Sequence, residues 1–367
     1  MNAQAEIDEF YLRKSLNLAK KAEGKTFPNP LVGCVIVKNN KIIGKGFHKK
    51  AGDNHAEINA INNSEQSVNG ATLYVNLEPC SHFGKTPPCV ESIIKAGISR
   101  VVFCTLDPNT KVHGKGKQKL IDSGVEVTFG ILEHAAEQLN ESYFVYQTLR
   151  RPFIAIKYAS SIDGKITTST GESKWITNSL ARQYGRKLRS KYQAILVGSN
   201  TVLHDNPHLG SRISGNYEPI RIILDSSLKT DPSSKVYRDS NVLVFTSQKV
   251  TIKRRELFKK HNIETIFSKS NEVLISEVLE HLYIRNIISI YVEGGSKVLG
   301  SFNDLKTIDR LYAFVSPIII GGDGSKSPIS GEGVDVLKNS LHLEQVETKY
   351  FEDNILITGR IKSTTSF

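Results

Sequence analysis

The chain has 367 residues, 39% of them hydrophobic, with 48 Lys and Arg against 37 Asp and Glu for a formal net charge of +11. That length argues for two domains, and the composition excludes disordered, collagenous and membrane-spanning classes, since the longest apolar run (LVGCVIV, 31–37) is far short of a span. The charge surplus divides as 18 basic against 15 acidic residues over 1–150 and 30 against 22 beyond, with no dense basic block, so a solvated surface or a phosphorylated small ligand is expected rather than nucleic acid.

In chain order, AEIDEFYLRKSLNLAKKAEG reads as an amphipathic helix without an apolar signal core, so a cytoplasmic protein with no membrane partner is expected. PNPLVGCVIVKNNKIIGKGFH holds two apolar runs joined by KNNK, the pattern of a hairpin. NHAEINAINN is helical, ATLYVNL a strand, CVESIIKAG a helix closed by Gly97, and SRVVFCTL a strand; GKQKLIDSG and VEVTFG repeat the alternation. The order β-β-α-β-α-β-α-β predicts an α/β/α sandwich on a mixed sheet. Arg150-Arg151-Pro152 is a seam, giving domains at 1–149 and 150–367. Beyond it FIAIKYAS, QAILVG, IRIILD, NVLVFT, IISIYVEGG, RLYAFVSPIII and NILITGRI read as strands. ARQYGRKLRSK and NEVLISEVLEHLYI read as helices, which predicts a second α/β unit with a mostly parallel sheet.

Of four cysteines, Cys34 and Cys104 lie in apolar strand-like runs and read as core. Cys80 and Cys89 lie in LEPCSHFGKTPPC, a polar, turn-rich stretch, preceded by His55-Ala56-Glu57 in NHAEINA. Two positions along a helix are about 200° apart, so His55 and Glu57 can converge only at a helix mouth, where Asp53-Asn54 offers a capping signal. Pro88 suits the first turn of the next helix and puts Cys89 at its start, where backbone N–H groups favour a thiolate. Three N/S ligands (His55, Cys80, Cys89) suit one Zn2+ and leave a fourth position for water, whose ionisation the metal promotes. Glu57 then reads as the general base and acid. H-x-E with P-C matches the zinc nucleobase-deaminase signature, although eight residues rather than two separate the cysteines. A structural zinc closed by His82 is the competing reading; His82 with Lys85 otherwise reads as a polar wall for substrate, and His48 as loop surface.

PNPLVGCVIV, HAE and LEPCSHFGKTPPC, with DPN (107–109), GKG (114–116), KYASSIDGK, GESKWIT, TVLHDNPHLGSR, RIILDSS and EGGSKVLGSF, resemble the bifunctional pyrimidine deaminase/reductase of riboflavin biosynthesis. The resemblance covers nearly the whole chain in the family's order. It implies a cytidine-deaminase-like α/β/α sandwich followed by a dihydrofolate-reductase-like α/β domain. It also implies zinc on His55, Cys80 and Cys89 with Glu57 as proton shuttle, and deamination of 2,5-diamino-6-(5-phosphoribosylamino)pyrimidin-4-one. NADPH would then reduce the ribosyl group to ribityl. The implied cofactor contacts are Ala159, Trp175, Thr201, Asp205, Ser226 and the run Gly295, Ser296, Lys297, Val298, Leu299, Gly300 and Ser301. The implied substrate contacts are Asn29, His82, Ser173, Arg189, Leu209, Arg212 and Glu293, together with a homodimer through the reductase half by analogy.

Some of these positions read differently without the family. Trp175, the only Trp, reads as core, and Arg189 as a solvated helix residue. The glycine pair 294–295 between a strand and a helix independently suggests a phosphate site, although no G-x-G-x-x-G is present. Two departures stand out: Asn206 replaces the family's usual second Asp after Asp205, and SIDG replaces SLDG. The rival functions are a zinc deaminase of RNA or free bases with a basic C-terminal platform, supported only by that half's charge, and a non-enzymatic structural zinc protein.

Overall fold

A computed structural model describes residues 3–82, 87–211 and 217–362. Lys85 and Arg212 lie outside the described residues. The chain falls into two compact units, Met1–Arg150 and Arg151–Phe367.

The first unit runs α1 (Ala3–Ala19), β1 (Gly33–Lys38), β2 (Lys41–Phe47), α2 (Ala56–Asn62), β3 (Thr72–Val75), α3 (Cys89–Lys95), β4 (Arg100–Phe103), α4 (Lys115–Asp122), β5 (Glu126–Phe129), α5 (Glu133–Leu139) and α6 (Glu141–Leu149). The predicted β-β-α-β-α-β-α-β order is observed. Asn39 and Asn40, both left-handed, turn the β1–β2 hairpin as two-residue loops prefer. The sheet order is β2-β1-β3-β4-β5, antiparallel through β3 and parallel thereafter. Alternation sends Cys34, Ile36, Leu73, Val75, Val101 and Phe103 to one face, under α2, α3 and α4. Val35, Val37, Tyr74, Val102 and Cys104 face α1 on the other. Burial in these layers accounts for Cys34 and Cys104 as core residues.

The second unit runs β6 (Phe153–Ser161), α7 (Ser179–Arg189), β7 (Ala194–Gly198), α8 (Ser199–Asp205), β8 (Ile220–Leu224), β9 (Val242–Thr246), α9 (Ile252–Lys260), β10 (Glu264–Phe267), α10 (Ile275–Ile284), β11 (Ser289–Gly294), α11 (Ser296–Asp304), β12 (Arg310–Ser316), β13 (Leu343–Phe351) and β14 (Asn354–Ile361). Its sheet order is β10-β9-β8-β7-β11-β6-β12-β14-β13. The first seven strands are parallel, and β14 and β13 close the edge antiparallel. Four elements escape the sequence pattern because each buries little. Among the residues of α8 and α9 only Val202 and Phe258 are buried, β10 is four residues long, and β13 is an exposed, polar edge strand. The strand read through Ile318-Ile319-Ile320 stops at Ser316, and Ile319 is exposed. No helix among the described residues is long and apolar enough to cross a membrane.

Candidate active sites

Backbone proximity aims the first site. Gly44 and Gly46 let α2 lie directly on β2: a Cβ at Gly46 would stand 2.4 Å from the Ala56 carbonyl oxygen. The N-terminus of α2 is thereby pinned at the sheet's edge. His55 itself occupies the N-cap, extended at φ −70°, and Glu57 lies in the first turn. The expected capping by Asp53-Asn54 is corrected here, because His55 is itself the N-cap and makes no side-chain cap bond; the Asn54 backbone carbonyl accepts from His48 Nδ1 at 3.1 Å and from Asn59 Nδ2 at 3.2 Å. Pro88 is the N-cap of α3, one residue ahead of the first turn predicted for it, and Cys89 is the first helical residue.

His55 Nδ1 stands 3.1 Å from Cys89 Sγ and 3.5 Å from Cys80 Sγ, and the three donor atoms lie within 4.8 Å of one another. A tetrahedral zinc with ordinary Zn–S and Zn–N bonds needs donor–donor edges of about 3.6 Å, so this donor set fits the ion. The group has three members, and His82 is not among them, so the four-ligand structural reading finds no support among the described residues. Cys89 N–H donates to Cys80 Sγ at 3.4 Å. Bonding from Cys89, together with His55, draws the Cys80 thiol toward thiolate, while Cys89, donating to Cys80 and buried, is pushed up. Contact with Cys80 raises His55 against the effect of burial.

Glu57 is 3% exposed, its Oε2 is buried without a hydrogen-bond partner, and burial raises its carboxyl pKa. A buried carboxyl beside the donors, with one oxygen unpartnered and its pKa raised by burial, suits a proton carrier. His82 is half-buried, with an unpartnered Nδ1. His48 is corrected from loop surface to a buried residue, 2% exposed. With its Nδ1 proton on the Asn54 carbonyl, its Nε2 accepts from Asn29 Nδ2 at 3.0 Å, and the ring lies edge-on to His55 at 5.4 Å. Burial lowers its pKa and keeps the ring neutral. Sequence alone gave no sign of this, since nothing in FHKKAG marks the His as inward-facing.

Below Cys80, the buried Glu78 accepts backbone N–H bonds from Asp107 (3.2 Å), Gly114 (2.9 Å) and Lys117 (3.0 Å). Asp107, raised to about 6 by burial, takes the Tyr143 hydroxyl at 3.0 Å. A Cβ at Gly116 would lie 2.0 Å from the Pro79 carbonyl oxygen, so the GKG turn packs against the segment after β3 that carries Cys80.

In the second unit the implied contacts gather along the carboxyl ends of the parallel strands, where ligands bind in open α/β sheets. Ala159 lies near the end of β6, Thr201 and Asp205 lie on α8 after β7, Ser226 follows β8, and Gly295 caps α11 after β11. Ser296, Lys297 and Ser301 are at least partly open, whereas Leu299 packs in the core and Gly300 is buried. Trp175 is corrected from core to surface: it is 69% exposed, with Arg182 4.4 Å over its ring. Its neighbour Lys174 pairs with Asp205 at 3.0 Å. Ser173 is exposed, and Leu209 is buried with a left-handed backbone.

Arg189 is corrected from solvated to largely enclosed, with 13% of its side chain exposed. It forks onto Glu293, Nη2 to Oε2 at 3.0 Å, and donates to the Gly210 carbonyl at 3.2 Å. Burial would raise Glu293, but Arg189 more than offsets it and holds the carboxylate ionised. Lys157 on β6, which sequence reasoning missed, is lowered by burial and lies within the field of Glu293 and Arg189. Asn206 is the left-handed C-cap of α8, a conformation that Asn tolerates, and its Oδ1 accepts from Lys235 N–H at 2.9 Å.

The first fold with its His/Cys/Cys donor set, and the second with its mostly parallel sheet, define a zinc-dependent deaminase joined to a dihydrofolate-reductase-like α/β reductase. Residues 5–105 match the cytidine and deoxycytidylate deaminase zinc-binding region, and residues 152–357 match the RibD C-terminal domain. The riboflavin biosynthesis protein RibD of Aquifex aeolicus (strain VF5) is 41% identical over 353 residues, covering 96% of this chain and 98% of its own. That of Bacillus amyloliquefaciens is 40% identical over 356 residues, covering 96% of each. The crystal structure of a diaminohydroxyphosphoribosylaminopyrimidine deaminase/5-amino-6-(5-phosphoribosylamino)uracil reductase from Thermotoga maritima superposes with a TM-score of 0.87 at 37% identity, covering 98% of this chain and 100% of that one. The chain therefore belongs to the RibD family, the bifunctional pyrimidine deaminases and ribosyl reductases of riboflavin biosynthesis, with a zinc site at His55, Cys80 and Cys89 and an NADPH-using reductase half.

Proposed function

We propose that a first domain at residues 1–149 deaminates 2,5-diamino-6-(5-phosphoribosylamino)pyrimidin-4-one to 5-amino-6-(5-phosphoribosylamino)uracil. The second, residues 150–367, then reduces the ribosyl group to ribityl. The observation that carries the first step is the buried, partnerless Glu57 oxygen beside three zinc donors. Zinc, held by His55, Cys80 and Cys89, makes water acidic enough to react near neutral pH. Glu57 takes one proton from the water and delivers it to a ring nitrogen, then takes the second from the hydroxyl now on the ring carbon and delivers it to the departing ammonia; burial favours its protonated form between each uptake and delivery. His48 engages the Asn29 amide nitrogen, which leaves the Asn29 carbonyl oxygen to accept from the pyrimidine. His82 adds a polar wall.

In the second unit, Ala159, Trp175, Thr201, Asp205, Ser226 and the Gly295–Ser301 turn are the groups that hold NADPH, which supplies the reducing equivalent. The N-terminus of α11 offers unpaired N–H groups to a phosphate, and the open Ser296 and Lys297 positions fit one. Arg189, with Ser173, Leu209, Arg212 and Glu293, is assigned to the phosphoribosyl substrate, a guanidinium suiting a phosphate monoester. Lys157, beside Glu293, is placed to deliver the proton that the opening sugar oxygen requires. We further assign the protein to the cytoplasm and infer a homodimer through the reductase unit. The exposed edge strand β13, with Val346 and Tyr350 open, supports the homodimer.

Glu57→Gln tests the first step, with ammonia release, zinc content and NADPH oxidation on the deaminated intermediate followed separately. Deamination should fall by about 10²–10⁴-fold, with zinc retained and reduction unchanged. Undiminished ammonia release would remove Glu57 from the chemistry.

A further inference from the structure

We infer that Lys174 is a positioning residue of the reductase half: its ion pair with Asp205 clasps the segment that carries Ser173 and Trp175 across the cofactor crevice, and so sets how tightly NADPH is held. The inference rests on the reductase reading above and deepens it by giving a role to a residue outside the contacts that the resemblance implies.

The sheet order supplies the span. β11, which leads into the Gly295 turn, lies between β7 and β6. Asp205 ends α8, the helix that follows β7, whereas Lys174 lies in the connection that follows β6 and leads to α7. The contact of 3.0 Å from Lys174 Nζ to Asp205 Oδ1 therefore joins the connections after the two strands that flank β11. Proposed cofactor contacts stand on both sides of the join, Trp175 next to the lysine and Asp205 in the pair itself. A dinucleotide laid on the Gly295 turn has to pass this pair.

The segment is fixed at both ends and open in between. At its start Thr168 N–H donates to the Glu172 carbonyl at 2.9 Å, and Glu172 N–H donates to the Thr168 hydroxyl at 3.1 Å. At its end Asn178 N–H donates to Asn354 Oδ1 at 2.8 Å and Asn178 Nδ2 to the Phe351 carbonyl at 2.7 Å, while Thr177 is buried. Ser173, Lys174 and Trp175 between these anchors are all exposed. Arg182 on α7 lies over the Trp175 ring and donates to the Thr177 carbonyl, which steadies the indole from the α7 side. Toward α8 the tie is the Lys174–Asp205 pair.

Charge gives the pair a second consequence. NADPH carries several phosphate charges, and a bare carboxylate at the crevice would repel them. The Lys174 ammonium cancels the Asp205 charge where a contact, rather than repulsion, is required. With 46% and 36% of the two side chains exposed, solvent screens the pair, and its effect is a few-fold in an equilibrium constant rather than orders of magnitude.

The test measures NADPH binding and release on the full-length protein by stopped-flow fluorescence, together with steady-state reduction of the deaminated intermediate. The proteins are wild type, Lys174→Met, Lys174→Arg and Lys253→Met, the last altering an exposed lysine on α9, each at about 0.05 M and about 0.5 M salt. At low salt Lys174→Met should raise the NADPH dissociation rate and dissociation constant by about three- to fivefold, and the gap to wild type should narrow at high salt. KM for NADPH should rise in parallel while kcat stays within about twofold, and Lys174→Arg should restore both. Amide exchange of residues 171–177 should quicken in unliganded Lys174→Met, as expected of a segment released at its middle. Release within about 1.5-fold of wild type in Lys174→Met would overturn the clasp, as would a loss undiminished at high salt. So would a loss that Lys174→Arg fails to repair, or an equal loss in Lys253→Met. Wild type that binds no NADPH would instead sink the reductase reading, and the role of the clasp with it.

Discussion

Glu78→Gln separates the support of the zinc site from its chemistry. The Glu78 carboxylate is buried, with Oε2 accepting from Asp107 and Gly114 and Oε1 from Lys117. An isosteric amide can keep its oxygen on the first pair, but its NH2 then faces the Lys117 N–H at 3.0 Å, donor against donor. One charge-assisted bond is lost, at about 1.5–3 kcal/mol, and two others weaken when the acceptor loses its charge. A total of about 2–4 kcal/mol follows, or a fall of about 5–15 °C in the midpoint of the transition assigned to this unit. Because Gly116 packs on the Pro79 carbonyl, a loosened 107–117 segment also frees the backbone that aims Cys80, and zinc affinity should drop about tenfold or more. Differential scanning calorimetry of the full chain, with and without chelator, identifies the metal-linked transition, and chelator competition measures the affinity. A variant that melts within about 1 °C of wild type and holds zinc equally well would refute the claim that this carboxylate carries the loop.

Asp8→Asn should destabilise the first unit by about 2–4 kcal/mol, because Asp8 is 2% exposed and its removal strips the bidentate partner from the nearly buried Arg100. Burial would raise Asp8, but its hydrogen bonds, Arg100 foremost, win and lower it, so its stabilisation is present above the usual carboxyl pKa of about 3.9 and is lost as pH falls through the depressed folded value. Acid titration of unfolding should therefore show a shallower low-pH limb in the variant, and an unchanged limb would contradict the pairing. Asn206→Asp, which restores the family's second carboxylate, should change stability by less than about 0.5 kcal/mol and reductase turnover by less than about twofold, since the residue serves α8 as a left-handed cap accepting Lys235 N–H. A large gain in turnover would show that the second carboxylate has a direct role after all.

The parts of the fold that alternate strongly in hydrophobicity were readable in advance: the hairpin, the parallel strands and the helices that cover them. Elements that bury a single side chain, such as α8 and α9, leave no periodic trace. The zinc donors were legible because their chemistry restricts residue type, and the spacing forced His55 and Glu57 to a helix mouth. The environments of single residues were not. His48 and Arg189 look like surface polar residues in isolation, yet one is enclosed by Asn29 and Asn54 and the other by Glu293 and Gly210, partners 6 to 104 positions away. Trp175 misleads in the opposite sense, since composition favours burial for an indole and this one stands open under an arginine.

The functional side chains sit in loops or close to the ends of helices and strands, so the connecting turns must be held within a fraction of an ångström. One device recurs: a single carboxylate collecting backbone N–H groups from a turn. Glu78 holds 107–117, Asp225 holds 229–230, Asp163 takes Ile320 and Gly321 N–H, and Asp304 takes Glu332 and Gly333 N–H. A carboxylate suits this task better than an amide, because both oxygens accept and neither donates. The same reasoning explains why these residues are silent in the sequence. An acid in a loop looks like solvated surface until the fold brings the turn's donors to it, and its worth then lies in backbone it never adjoins. The zinc ligand Cys80 and the proposed cofactor contact Ser226 are thus positioned by acids outside the donor set, and changes at those acids should loosen geometry first and chemistry only as a consequence.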